Sequence, residues 1–160
     1  NADIGLGNEG AINQLIAHHS VIFKPQKNQI WISTSPYQLG AFLLYQLDSI
    51  FMNPLHLNNG HDNFMSTIAT DSFFMNTSYL NYLEFKSILE EVDHGKSIDA
   101  IALKKSNPNY FFTYEALGDY YTSKGEYVKA KTNYLRSLEM FIPNHHETLR
   151  IQNKIKDLIP

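Results

Sequence analysis

The hydrophobic period changes once along this chain, and that change limits the folds open to it. Between residues 16 and 47 the apolar positions fall in short β-branched and aromatic runs of strand length: 16–24 (IAHHSVIFK), 29–34 (QIWIST) and 41–47 (AFLLYQL). From about residue 78 they recur at three and four residues instead, as Tyr82, Phe85, Leu89 and Val92 do, which is the spacing of one helix face. Strands followed by helices predict an α+β chain.

Pro25-Gln26-Lys27-Asn28 separates the first two runs and predicts a hairpin, and Ser35-Pro36-Tyr37-Gln38-Leu39-Gly40 leads into the third run, completing a short antiparallel β-meander. Apolar residues occupy both parities of these runs, so strands covered on both faces are expected. Residues 48–71, rich in Asn and polar side chains, read as a long connection with at most one short helical turn, and a boundary after it divides the chain into 1–71 and 72–160. The first ten residues, with glycine at 5, 7 and 10, read as an irregular loop. Beyond the boundary, Asn76, Thr77 or Ser78 caps a first helix that Gly95 stops. A shorter helix near 97–105 carries Ile98, Ile101 and Ala102 before Asn107-Pro108 breaks it.

Composition removes several functions. A formal charge of −3 and a pI near 6.2 leave no basic field for nucleic acid. No run of about 18 apolar residues is present to span a bilayer. There is no cysteine, which excludes disulfides, thiolate metal sites and a cysteine nucleophile within these 160 residues. The start, Asn1-Ala2-Asp3, lacks methionine, and the chain is expected to be a piece of a longer one.

The remaining chemistry-bearing residues are scattered. His18 and His19, adjacent in a predicted strand, would point to opposite faces and not chelate one metal. Glu90 and His94 share a helix face at i, i+4, but no third ligand accompanies them. His56, His61 and Asp62 sit in the polar connection, and His145-His146 open a helix. No metal and no cofactor is expected.

The stretch NPNYFFTYEALGDYYTSKGEYVKAKTNYLRSLEMFIPN, from Asn107, resembles the tetratricopeptide repeat, with Tyr114, Leu117-Gly118, Tyr121, Ala130, Tyr134 and Pro143 at the repeat's characteristic positions and Ser137 where the family prefers alanine. Independently of the family, Tyr114, Leu117, Gly118 and Tyr121 lie on one face of a first helix, and Tyr127, Ala130, Tyr134, Leu138 and Phe141 on one face of a second. Gly118 and Ala130 allow close approach, Ser123-Lys124-Gly125 makes the turn, and Asn144 caps a last helix with Leu149, Ile151, Ile155, Leu158 and Ile159 as its stripe. Structural packing and peptide binding both remain open as roles for this unit.

Residues 12–47 (INQLIAHHSVIFKPQKNQIWISTSPYQLGAFLLYQL) are similar to the C-terminal part of the acyl-CoA:6-aminopenicillanate acyltransferase family. These are the C45-type autoproteolytic proteins related to bile-salt and N-acylethanolamine amidases. Asn13, His18-His19-Ser20, Phe23-Lys24-Pro25, Trp31-Ile32-Ser33 and the 35–40 turn carry the likeness. The resemblance implies part of an N-terminal-nucleophile αββα sandwich, in which self-cleavage exposes a cysteine whose own amine is the base for attack on an amide or thioester. That cysteine would lie upstream, so this piece alone would be inactive. By the same resemblance Asn13 donates its side-chain amide to the oxyanion, the alternative being a cap on loop backbone. Some relatives place an arginine near the end of the return strand, where this chain has Ser33-Thr34-Ser35. The implied substrate is a small amide or an acyl-CoA. The competing reading is a non-enzymatic interaction module. As a free piece the strands would expose apolar edges, from which a homodimer through the strands, or docking of the meander on the helices, is expected.

Overall fold

The structure, a computed structural model, describes residues 2–11, 14–15, 17–52 and 67–158. The fold is α+β. It divides into two compact units, Leu15–Met75, and Asn1–Gln14 together with Asn76–Pro160. The sequence places one boundary after residue 71; the units part after 14 and after 75.

The first unit holds an antiparallel sheet of order β1-β2-β3-β4: β1 Val21–Lys24, β2 Gln29–Ser33, β3 Phe42–Gln46 and β4 Thr67–Ile68. Val21 pairs with Ile32, Ile30 with Tyr45 and Phe42 with Ile68. Between β1 and β2 the chain makes a 3-10 turn over Pro25–Lys27, closed by the Asn28 N–H on the Pro25 carbonyl at 3.0 Å with Asn28 left-handed at φ 49°. Helix α1, Leu47–Met52, continues directly from β3, and α2 spans Ser72–Asn76. The Asn28 carbonyl accepts the Leu47 N–H at 2.8 Å, which fixes the start of α1 against this turn.

Three expectations change here. The first strand begins at Val21, so His18 and His19 precede it and the opposite-face argument for them lapses. Its length is set by its partner: opposite Ser20 lies Ser33, the last residue of β2, after which the chain turns away and residues 17–19 have no ladder to join. Cover on both faces is not met at β1, where Val21, Ile22 and Phe23 are all exposed, because β1 is the outer strand and pairs only with β2. The polar connection contains a short strand, β4, that no alternation announced, and its residues 53–66, with His56, His61 and Asp62, lie outside the described residues.

The second unit is helical: α3 Ser78–Asp93, α4 Ala100–Ser106, α5 Phe111–Ser123, α6 Tyr127–Leu138 and α7 His145–Asp157. Helix α3 buries Tyr82, Phe85 and Ile88. Asp99 caps α4, its Oδ1 accepting the N–H groups of Ile101 at 2.8 Å and Ala102 at 3.1 Å. Against expectation Ile101 faces solvent, 77% exposed, and Leu103 is the core residue of this helix. Phe111, Ala130, Tyr134, Ile151 and Leu158 form one buried cluster joining α5, α6 and the end of α7.

Gly118 of α5 is what lets the Tyr134 ring of α6 lie flush: a Cβ there would stand 2.2 Å from the ring's Cε1. Ser137, buried, donates from Oγ to the Phe111 carbonyl at 2.8 Å and ties α6 to the start of α5. Tyr127 and Phe141, grouped with the buried face by spacing, are half exposed. Residues 2–11 run as turns against this helical unit. Asn107 donates to the Leu6 carbonyl at 2.8 Å and accepts the Leu6 N–H at 2.9 Å, and Asn8 donates to the carbonyls of Ile4 at 2.8 Å and Phe141 at 3.1 Å. No described helix is long and apolar enough to cross a membrane.

Candidate functional site

Asn13 lies outside the described residues. Three other stretches of residues 14–47 meet at Ser20, Ser33 and Gln38. Ser20 and Ser33 extend the β1–β2 ladder by one pair: the Ser33 N–H donates to the Ser20 carbonyl at 3.0 Å, and the Ser20 N–H donates to Ser33 Oγ at 2.8 Å. Ser20 Oγ donates in turn to Gln38 Oε1. Ser33 and Gln38 are buried polar side chains, so each hydrogen bond here offsets a desolvation that would otherwise cost about 1–3 kcal/mol.

The loop that delivers Gln38 is tightly closed. The Leu39 N–H donates to the Pro36 carbonyl at 2.9 Å, the Gly40 N–H to the Thr34 carbonyl at 3.1 Å, and the Thr34 N–H to the Ala41 carbonyl at 2.9 Å. Tyr37 is left-handed at φ 49°, and a Cβ on Gly40 would stand 2.3 Å from Thr34 Oγ1 and 2.4 Å from two backbone oxygens. The hydrogen bond from Ser20 ties the start of β1 to this loop through an amide oxygen, which is not a base. His18 and His19 are exposed beside Ser20.

The helical unit holds a second polar cluster, around Glu115 of α5, whose side chain is fully buried. Arg150 of α7 grips it with two hydrogen bonds, Nε to Oε1 at 2.9 Å and Nη2 to Oε2 at 2.7 Å. Lys154, one turn on, reaches Glu115 Oε1 at 2.8 Å and Asp119 Oδ2 at 2.7 Å, while the Tyr134 hydroxyl donates to Asp119 Oδ1 at 2.7 Å. Burial pushes the Glu115 carboxyl up, but the hydrogen bonds from Arg150 and Lys154 outweigh it and hold it below the usual carboxylate value. The Tyr134 phenol is raised, by burial first and then by Asp119. Every oxygen of Glu115 is engaged, so the cluster clasps α5 to α7 and offers no free base.

Periodicity missed this clasp because it sorts residues by hydrophobicity. The available signal was paired spacing: Glu115 and Asp119 at i, i+4 on one helix, Arg150 and Lys154 at i, i+4 on another. At the end of α3, His94 Nδ1 contacts the Glu90 backbone carbonyl at 2.5 Å, not its carboxylate. Among the described residues no group of three or more His, Asp or Glu is arranged to hold a metal ion.

Two surface clefts of about 170 Å³ lie in the helical unit. One is bordered by Tyr110, Phe112, Pro143 and Arg150. The Tyr110 hydroxyl beside it is pushed up to about 12, by burial first and then by Tyr82 and nearby carboxylates. The other runs between α3 and α5, with Leu89, Val92, Phe112 and Ala116 as its apolar lining and Asp93 and Asp119 as its acids. No family model, no curated protein and no solved structure matches this chain.

Proposed function

We propose that the sheet unit is the C-terminal part of an N-terminal-nucleophile acyltransferase or amidohydrolase acting on amide or thioester acyl groups, its cysteine supplied by sequence upstream. The observation that supports this reading is the junction of Ser20, Ser33 and Gln38. Three separate stretches of the family-like run close on one another there, at the end of the strand that follows Asn13. In this reading Asn13 donates to the oxygen that becomes negative as the carbonyl is attacked.

The test is expression of the longer chain with its upstream sequence, mass spectrometry of the mature N-terminus, and turnover of acyl-CoA and simple amides. A new N-terminal cysteine is expected. Replacing Asn13 with alanine is expected to lower kcat about 10²–10³-fold with little change in KM. A full-length protein with no processed cysteine would sink the reading.

The cleft between α3 and α5 favours a second role, carried by the helical unit. In this reading α3 to α7 form a tetratricopeptide-like interaction module, with α3–α4 and α5–α6 as successive helix pairs and α7 covering the last one. Saturable binding of a peptide by the full chain, lost when the α3–α5 cleft is altered, is the expected result.

A further inference from the structure

Two exposed helix faces of the helical unit carry opposite charge on matching spacings. On α3, Leu80 is 54% exposed, and Glu84 and Ser87 continue the same side of the helix, both exposed. On α6, Val128 is 83% exposed, and Lys131 and Leu135 continue its side, both exposed. Leu83 and Glu91 flank the first face, Thr132 the second. Each face is therefore a row of apolar side chains interrupted by charge of one sign.

Those charges have no partners among the described residues. No cation pairs with Glu84 or Glu91, and no carboxylate pairs with Lys131. The other ions nearby are engaged or turned aside. Along α6, Lys129 is paired with Glu126 and Arg136 with Glu139. Lys124 stands before α6 begins, with its ammonium over the Tyr120 ring at 5.5 Å. The single cation of α3, Lys86, lies about 120° round the helix from Leu80.

We propose that the α3 face of one molecule docks antiparallel on the α6 face of a second copy of this chain. The register follows from the spacing. Residues 80, 84 and 87 rise by four and three, and 135, 131 and 128 fall by four and three. Laid antiparallel, the faces set Leu80 against Leu135, Glu84 against Lys131 and Ser87 against Val128. Leu83 then packs beside Thr132. Charge selects this pairing over the alternatives between copies: α3 on α3 brings Glu84 and Glu91 toward carboxylates, and α6 on α6 brings Lys131 toward cations. The contact joins two different surfaces, so it either closes reciprocally in a pair or propagates from copy to copy. It does not use the β1 edge, and it stands whether or not the helical unit binds a peptide.

The experiment is sedimentation velocity of the full chain over a concentration series at low and high salt. Self-association is expected, weakened by salt. Glu84→Lys and Lys131→Glu, each at an exposed position, set like charges opposite each other in a self-contact and are expected to raise the self-association Kd at least about threefold. An equimolar mixture of the two variants is expected to recover wild-type association, because every contact between unlike molecules again joins opposite charges. Circular dichroism of both variants is expected to match the wild type. A monomer at every concentration would overturn the proposal. Association that neither reversal weakens would overturn it too and leave the β1 edge as the seat of contact. Loss in each variant without recovery on mixing would overturn the pairing of Glu84 with Lys131, and with it the proposed register.

Discussion

Gly118 and Glu115 sit three residues apart on α5 and hold the helical unit together by opposite means, one by absence of a side chain and one by a buried charge. Gly118→Ala places a methyl 2.2 Å from the Tyr134 ring, and that ring is buried and held by its hydroxyl on Asp119. A net loss of about 2 kcal/mol is expected in urea denaturation even after alanine's better helix propensity. Gly95→Ala, where φ is +67° and nothing lies within 4 Å, is expected to cost about 1 kcal/mol from backbone strain alone. If Gly118→Ala proved the milder of the two, the packing account would be wrong. Removing Glu115 strands Arg150 and Lys154 beside each other; because both remain about a third exposed and rehydrate, Glu115→Ala is expected to cost about 3 kcal/mol, the low end for a broken buried pair. The sign with pH follows from its depressed pKa. Its stabilisation is fully present above the ordinary carboxylate value of 4.5 and is lost as pH falls below that through the folded-state value. Glu115→Gln should flatten the acid limb of a stability-versus-pH curve, and an unchanged limb would remove Glu115 from the account. Neither residue's role was legible one position at a time, since each depends on a neighbour from another helix.

Helix ends were the most legible elements, because a cap is a local event between residues close in sequence. Asn144 accepts the Glu147 N–H at 3.0 Å and opens α7 where its position before an apolar stripe predicted. Asn144→Ala is expected to lower stability by about 1 kcal/mol and to speed amide exchange at Glu147; slow exchange there in the variant would mean that tertiary packing holds the first turn. The turn glycines behaved likewise, Gly95 and Gly125 both lying at positive φ just past a helix. Faces were read less well. Ile101 and Leu103 are both apolar and two residues apart on α4, and spacing over seven residues does not choose between them. Only the helices around α4 put Leu103 inside. Strand limits failed for a related reason: β1 stops where its partner's ladder ends, and the order of residues 16–24 does not record that.

Across the whole molecule, the opening segment is tied to a residue 101 positions away. Leu6 exchanges both backbone hydrogen bonds with the buried side chain of Asn107, which thereby acts as a short stand-in for a strand. Asn107→Leu leaves both Leu6 groups unpaired and is expected to cost about 2–3 kcal/mol. In hydrogen exchange the Leu6 amide should lose protection while the β1–β2 amides keep theirs, because the sheet belongs to the other unit. Equal loss in both units would show that they unfold together. The sequence by itself determined what depends on neighbours along the chain: the α+β order, the antiparallel meander, the Asn144 cap and the glycine turns, all of which follow from periodicity and local hydrogen bonding; the expected cap of α3 was not met, Thr77 standing at its N-cap without a side-chain hydrogen bond. Tertiary structure decided what depends on partners distant in sequence. It grouped residues 1–14 with the helices, left β1 exposed on both sides, and clasped Glu115 to Arg150 and Lys154. Each is a matter of which charges, edges and faces meet in space, and the order of residues along a chain does not state that.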